Sequence, residues 1–235
     1  MLKTTQKTDP AVYEIVAAEL KRQEGNIEMI ASESTAPTEV LELSGSVFTN
    51  KTEEGYPGAR FQAGSEEADK IENLARDRAK ALFGADHVNV QSYSGSTANY
   101  CVYSAILAPG DRVLSMRLDQ GGHLTHGSPV NFLRKVYEYD FYGVDPETEQ
   151  IDYDALEKKA MEYKPKLIIG GASSYPRLID YERMAEIAKK CGAYLMIDMA
   201  HIAGLVAAKV IPSPIPYADF VSSSTTKTFC GPRDR

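Results

Sequence analysis

Between residues 65 and 83, apolar side chains recur at Ala68, Ile71, Ala75, Ala79 and Leu82, one face of an α-helix that Ser65 can cap and Gly84 can end. Beyond it the pattern changes. Short apolar runs at 87–92, 112–116, 135–141, 166–170, 193–198 and 219–223 read as strands. Helical stretches at 96–107, 152–163 and 180–191 fall between them, the last closed by Gly192. Strands alternating with helices predict an α/β fold, a mostly parallel sheet covered by helices. Upstream, Asp9 and Pro10 read as the N-cap and first residue of a helix reaching about Glu24, with Gly25 as its stop. A short helix follows Pro37. Residues 49–64, rich in glycine, polar and aromatic groups, follow neither period; a loop of that length in a compact domain is functional or disordered. The expected organisation is an N-terminal helical segment with this loop (1–65) and a sheet domain (66–235).

Composition narrows the function classes. With 235 residues, 43% hydrophobic and 25% charged, the chain can bury a substantial core. A net charge of −7 argues against a nucleic-acid binder or an anionic-membrane binder, which need a positive footprint. No apolar stretch approaches a membrane span, and residues 1–7 lack the apolar segment of a secretory signal. Cys101, Cys191 and Cys230 are too few and too scattered for a disulfide framework or a zinc site. A cytoplasmic, reduced protein is expected.

The candidate chemistry lies where strands end. Lys227 follows the last strand in a hydroxyl-rich run, Ser222 to Thr228, that Gly231-Pro232 closes. Open α/β sheets place ligands at that edge, and a lysine amine there can form a Schiff base with a carbonyl compound, pyridoxal phosphate being the common partner. Ser94-Gly95-Ser96 follows a strand and opens a helix, which suits a phosphate; the same tripeptide is also a common turn. Asp198 ends the run Tyr194 to Ile197, where it could pair with a protonated pyridine nitrogen or cap a helix. His201, three residues on, could orient a cofactor or move a proton, or be a plain structural histidine. Gly121-Gly122-His123 lets the backbone approach a ligand, and the imidazole could stack on a flat ring or act as acid or base. His123 and His126 at this spacing could suggest a metal, but no Cys, Asp or Glu completes a site nearby, so no metal is expected. Phosphate loop, stacking histidine, carboxylate and lysine occur in order, each after a strand of one sheet. Together they are the contacts a pyridoxal phosphate site needs.

At these residues the chain resembles the serine hydroxymethyltransferases. The matching runs are Met29 to Glu33, Glu54-Gly55-Tyr56-Pro57-Gly58, Gly121 to Asn131, Ile168 to Gly171, Asp198 to Ala208 and the lysine segment, and the resemblance covers nearly all 235 residues. It implies the fold-type-I pyridoxal phosphate architecture, helices on both faces of the sheet, and interconversion of serine and glycine with tetrahydrofolate. It implies Lys227 as the Schiff-base lysine, Asp198 against the pyridine nitrogen, His123 stacked on the ring, His201 and Ser173 as supports, and Ser94, Gly95 and Ser96 at the phosphate. Ser32 falls at a substrate-contacting position and Glu54 at the proton-transfer glutamate near the folate. Leu118, Gly122, His123 and Leu124 match a folate-contacting stretch. A homodimer with a shared active site is implied too.

The departures cluster in that same region. Thr226 stands where the family usually has a histidine, Thr52, Phe61 and Gln62 where tyrosines are usual, Ser34 for an asparagine and Tyr93 for a histidine. Family members continue past Arg235, so the resemblance implies a missing C-terminal small domain, a missing strand between 87–92 and 219–223, and low or no activity for this chain. A folate-independent β-hydroxy-amino-acid aldolase or transaldolase on the same scaffold is the first alternative; a non-catalytic paralogue is the second.

Overall fold

The computed structural model describes residues 2–232 and divides the chain into two compact units, Met1–Glu33 and Ser34–Arg235. The first unit holds α1 (Lys3–Thr8), which the sequence pattern does not announce, and α2 (Pro10–Gly25). Asp9 caps α2 as expected, its carboxylate accepting the Val12 N–H at 3.2 Å. Gly25 is the last helical residue rather than the stop beyond it.

The second unit opens with α3 (Thr38–Ser44), the short helix after Pro37. The expected loop then holds a small antiparallel hairpin, β1 (Gly55–Tyr56) and β2 (Ala59–Arg60). Strands of two residues are too short to show any period, which is why the sequence reads as loop there. Helix α4 (Glu66–Phe83) follows, ending at Gly84. Ser65 precedes it, but its hydroxyl donates back to the Gln62 carbonyl at 3.1 Å instead of capping the helix. Of the predicted apolar face of α4 only Ala68 is buried.

The sheet elements are α5 (Gly95–Ile106), β3 (Arg112–Met116), β4 (Glu138–Tyr142), α6 (Tyr153–Tyr163), β5 (Leu167–Gly171), α7 (Tyr181–Cys191), β6 (Tyr194–Asp198), α8 (Ala203–Ala207) and β7 (Phe220–Ser222). The strands pair in the order β4-β3-β5-β6-β7, every pair parallel. Because both faces are covered, the central strand β5 is a continuous buried run: Leu167, Ile168 and Ile169 are all fully buried. Leu114, Ile168, Leu195 and Ile197 pack with Leu156 of α6 and Met184 and Ile187 of α7 on one face. Val113, Leu167, Ile169 and Met196 pack with Tyr103 of α5 and Leu133 on the other. Asp152 caps α6 by accepting the Asp154 and Ala155 N–H groups, and Asp180 caps α7 by accepting the Arg183 N–H.

Residues 87–92, expected as a strand, form none. A strand needs a ladder partner, and among the described residues no segment pairs with this one. Side chains hold it instead: Asn89 donates to the Tyr56 hydroxyl at 3.0 Å, and Gln91 to the Gly55 carbonyl and to Glu72. The predicted strand at 135–141 begins later, at Glu138, after a 3-10 turn over Phe132–Lys135. Among the described residues, no helix is long and apolar enough to cross a membrane.

Candidate active site

The carboxyl ends of β5, β6 and β7 lie side by side, with Gly171 opposite Asp198 and Asp198 opposite Ser222. Gly171 is required there: its φ is +98°, and a Cβ would sit 2.1 Å from the Asp198 carbonyl oxygen. Against this edge comes the start of α5. Ser94 caps the helix by accepting the Thr97 N–H at 3.0 Å. At Gly95 a Cβ would meet Ser223 O and Ser224 Cβ at 3.6 Å and Ala200 Cβ at 3.9 Å. Ser96 lies in the first turn of the same helix. The helix N-terminus, with its unsatisfied N–H groups, therefore faces the segments that leave β6 and β7.

Asp198 is the centre of a buried network. Its Oδ2 accepts Asn99 Nδ2 at 2.9 Å and lies 3.1 Å from His126 Nε2; its Oδ1 accepts the Ala200 N–H at 3.1 Å. The His123 N–H donates to His126 Nδ1 at 3.3 Å, so the His126 proton sits on Nε2 and is donated to Asp198. Burial pushes the Asp198 pKa up, but the His126 and Asn99 bonds and the Ala200 N–H outweigh it and hold the carboxyl well below the usual range. Asn99 also donates to Thr125 Oγ1 at 2.8 Å, and that hydroxyl meets His123 Nδ1 at 2.8 Å. The turn carrying both histidines is pinned from below, Ser115 donating to the His126 carbonyl at 2.6 Å and Tyr103 to the Thr125 carbonyl at 3.2 Å.

His123 accepts the Thr125 N–H at Nδ1, 3.2 Å away. Burial first, then neighbours including His126 and Lys227, lower its pKa to about 4, so the ring is neutral at physiological pH. His201 is lowered in the same way, by burial and then by Lys227, while Asp198 raises it. Lys227 is thus within electrostatic reach of both rings. Its segment folds into a tight turn, with the Lys227 carbonyl accepting the Cys230 N–H at 2.8 Å and the Thr225 carbonyl accepting the Gly231 N–H at 2.7 Å. The turn docks on α8, where the Gly204 N–H donates to Thr228 Oγ1 at 2.9 Å. Ser173 joins through its N–H, 2.7 Å from the Gly121 carbonyl, next to the buried Gly122.

The structure therefore brings Ser94, Gly95, His123, Asp198, His201 and Lys227 to one edge of the sheet. Leu118 and Leu124 are exposed on the turns flanking Gly121-Gly122. Glu54 stands at the foot of the β1–β2 hairpin, bonded to Gln62 and Phe61. Ser32 lies in the Met1–Glu33 unit. Sequence reading missed Asn99 and Thr125 and gave His126 no role beside Asp198. Asn99 alone could have been found, as a polar residue one helical turn from Tyr103 on the buried face of α5.

The sequence-based reason for setting a metal aside does not hold, because the fold carries Asp198 to the two histidines: one ligand atom from each lies within 4.8 Å of the others. The donor set is nonetheless spent internally. His126 Nδ1 accepts the His123 N–H, so ligation through Nε2 would strip the ring of its last proton, and His123 Nδ1 is held by Thr125.

What the arrangement does offer is a buried carboxylate that accepts from an amide and a backbone N–H and lies against an imidazole. That fits a protonated pyridine nitrogen, and the orphaned buried acceptors Asn99 Oδ1 and Ser222 Oγ are compatible with a polar ligand nearby. A family model described as serine hydroxymethyltransferase matches residues 5–235. The chain belongs to the serine hydroxymethyltransferase family. Membership places it among pyridoxal phosphate-dependent transferases of one-carbon metabolism, and the parallel five-stranded sheet with helices on both faces agrees with their fold-type-I domain.

Proposed function

We propose that this chain binds pyridoxal phosphate at Lys227 and interconverts serine and glycine, with tetrahydrofolate as the one-carbon carrier. The observation that carries this reading is Asp198, a buried carboxylate held ionised by hydrogen bonds at the edge where Lys227, His123 and the α5 N-terminus converge. Pyridoxal phosphate supplies an electron-accepting ring for carbanion chemistry at an amino acid's α-carbon. Asp198 keeps the proton on the ring nitrogen. His123, neutral and fixed by Thr125, offers a flat apolar face to the ring. Ser94, Gly95 and Ser96 receive the phosphate at the helix N-terminus. Lys227 holds the cofactor covalently, with His201 and Ser173 supporting it. Ser32 touches the amino acid, Glu54 moves a proton near the folate, and Leu118, Gly122 and Leu124 border the folate.

The working form in this reading is a homodimer. In the first unit, Val12, Ile15, Val16 and Leu20 fall on one face of α2 and all are exposed. A well-folded monomer at micromolar concentration, seen by light scattering, contradicts the dimer.

The reading is tested by glycine formation from serine in the cofactor-loaded protein with and without tetrahydrofolate. Folate-dependent turnover is expected. Equal cleavage of β-hydroxy amino acids without folate would replace it with the aldolase reading, and failure to take up the cofactor would remove both.

A further inference from the structure

We infer that Gln62 is a positioning residue that fixes the Glu54 carboxylate for proton transfer. The inference rests on the proposed role of Glu54 but concerns a residue that the family resemblance marks only as a departure from tyrosine. In the hairpin, Gly55 pairs with Arg60, and the Phe61 N–H extends the pairing by donating to the Glu54 carbonyl at 3.1 Å. One residue on, the Gln62 side chain takes over. Its Oε1 accepts the Glu54 N–H at 2.8 Å, and its Nε2 donates to Glu54 Oε2 at 2.6 Å. A single planar amide thus grips both ends of one residue and limits the rotation of the carboxylate. Glu54 Oε1 has no hydrogen bond among the described residues and is the oxygen left to carry a proton. A lone hydroxyl at position 62 could not hold backbone and carboxylate together in this way.

The clamp stands on a firm base. The Arg60 side chain is only 6% exposed and binds Asp69 at 2.8 Å and Glu72 at 2.6 Å on α4. The Gly58 N–H binds Asp69 at 2.8 Å, and Arg60 Nη1 binds the Gly55 carbonyl at 2.8 Å. The hairpin that carries Glu54 is therefore tied to a long helix through its turn and Arg60, and held at its foot by Gln62.

Three variants of the cofactor-loaded chain test this. In Gln62→Met both bonds go. The Glu54 amide should then exchange its hydrogen about tenfold faster, and folate-dependent kcat should fall about tenfold with the serine KM little changed, the loss of one charge-assisted hydrogen bond. Gln62→Glu keeps an acceptor for the Glu54 N–H but sets a carboxylate against a carboxylate. Its Glu54 amide should stay protected while kcat falls, a split that a merely structural role would not give. Glu54→Gln controls for the reading underneath. If Glu54→Gln is impaired and both Gln62 variants turn over normally, the positioning role is overturned. If Glu54→Gln is unimpaired, the proton-transfer reading of Glu54 fails instead. Unchanged Glu54 exchange in Gln62→Met overturns the clamp whatever the activity.

Discussion

Asp198 can stay ionised while buried because two side chains from distant parts of the chain, Asn99 and His126, and the nearby Ala200 N–H are aimed at its two oxygens. Asp198→Asn replaces that acceptor with an amide facing Asn99 and His126, leaving at least one buried donor unmatched, which costs about 1–3 kcal/mol. Urea unfolding of the cofactor-free protein should show the loss, and pyridoxal phosphate should bind more weakly. No change in either would mean that Asp198 only ends a strand. His123 gives a pH dependence. Its pKa falls from 6.5 in the unfolded chain to about 4, so between those values the unfolded state binds more protons. That part of the stability is complete above pH 6.5 and is lost as the pH falls toward 4. His201 acts in the same direction, whereas the Asp198 contribution lies lower, lost only as the pH drops below the ordinary carboxylate value of 3.8. Allowing for the partial exposure of His123, the wild type should lose about 1 kcal/mol more than His123→Asn between pH 7 and pH 5. Parallel losses in the two proteins would contradict the buried neutral ring.

At the scale of elements, α5 joins stability to the proposed phosphate seat, and Gly95 separates the two. An alanine Cβ there makes only ordinary contacts at 3.6 Å and adds helix propensity, so the cofactor-free chain should be as stable or gain about 0.5 kcal/mol. Pyridoxal phosphate affinity should nonetheless fall about tenfold, because the methyl group occupies the space of close backbone approach. Unchanged affinity would move the phosphate elsewhere. Elements with strong local signals were legible in the chain: α2 through its Asp9 cap, α7 through Gly192 beyond it, β5 and β6 through unbroken apolar runs. The run at 87–92 has the same local look but no ladder partner among the described residues, and pairing is not a local property. The β1–β2 hairpin and α8, of two-residue strands and five residues, are too short for a period to register.

At the scale of the molecule, parallel pairing collects the ends of β5, β6 and β7 at one edge, and the candidate site follows from that topology. Individual candidates such as Lys227 and Asp198 could be read from their place after a strand, and Ser94 from its place before a helix, the strand expected ahead of it not forming. Their wiring could not: the Asn99–Asp198 bond spans 99 positions, and the His126–Asp198 contact spans 72. Glu54 shows the same limit, since its grip by Gln62 depends on a hairpin that the sequence pattern hides. The central claim, that this edge holds pyridoxal phosphate on Lys227, is tested most directly by incubating the protein with the cofactor, reducing with borohydride and mapping the modified peptide by mass spectrometry. The account predicts a visible absorbance band before reduction and a single stable adduct on Lys227, absent in Lys227→Ala. An equal band and adduct in Lys227→Ala, or modification spread over surface lysines, would contradict it.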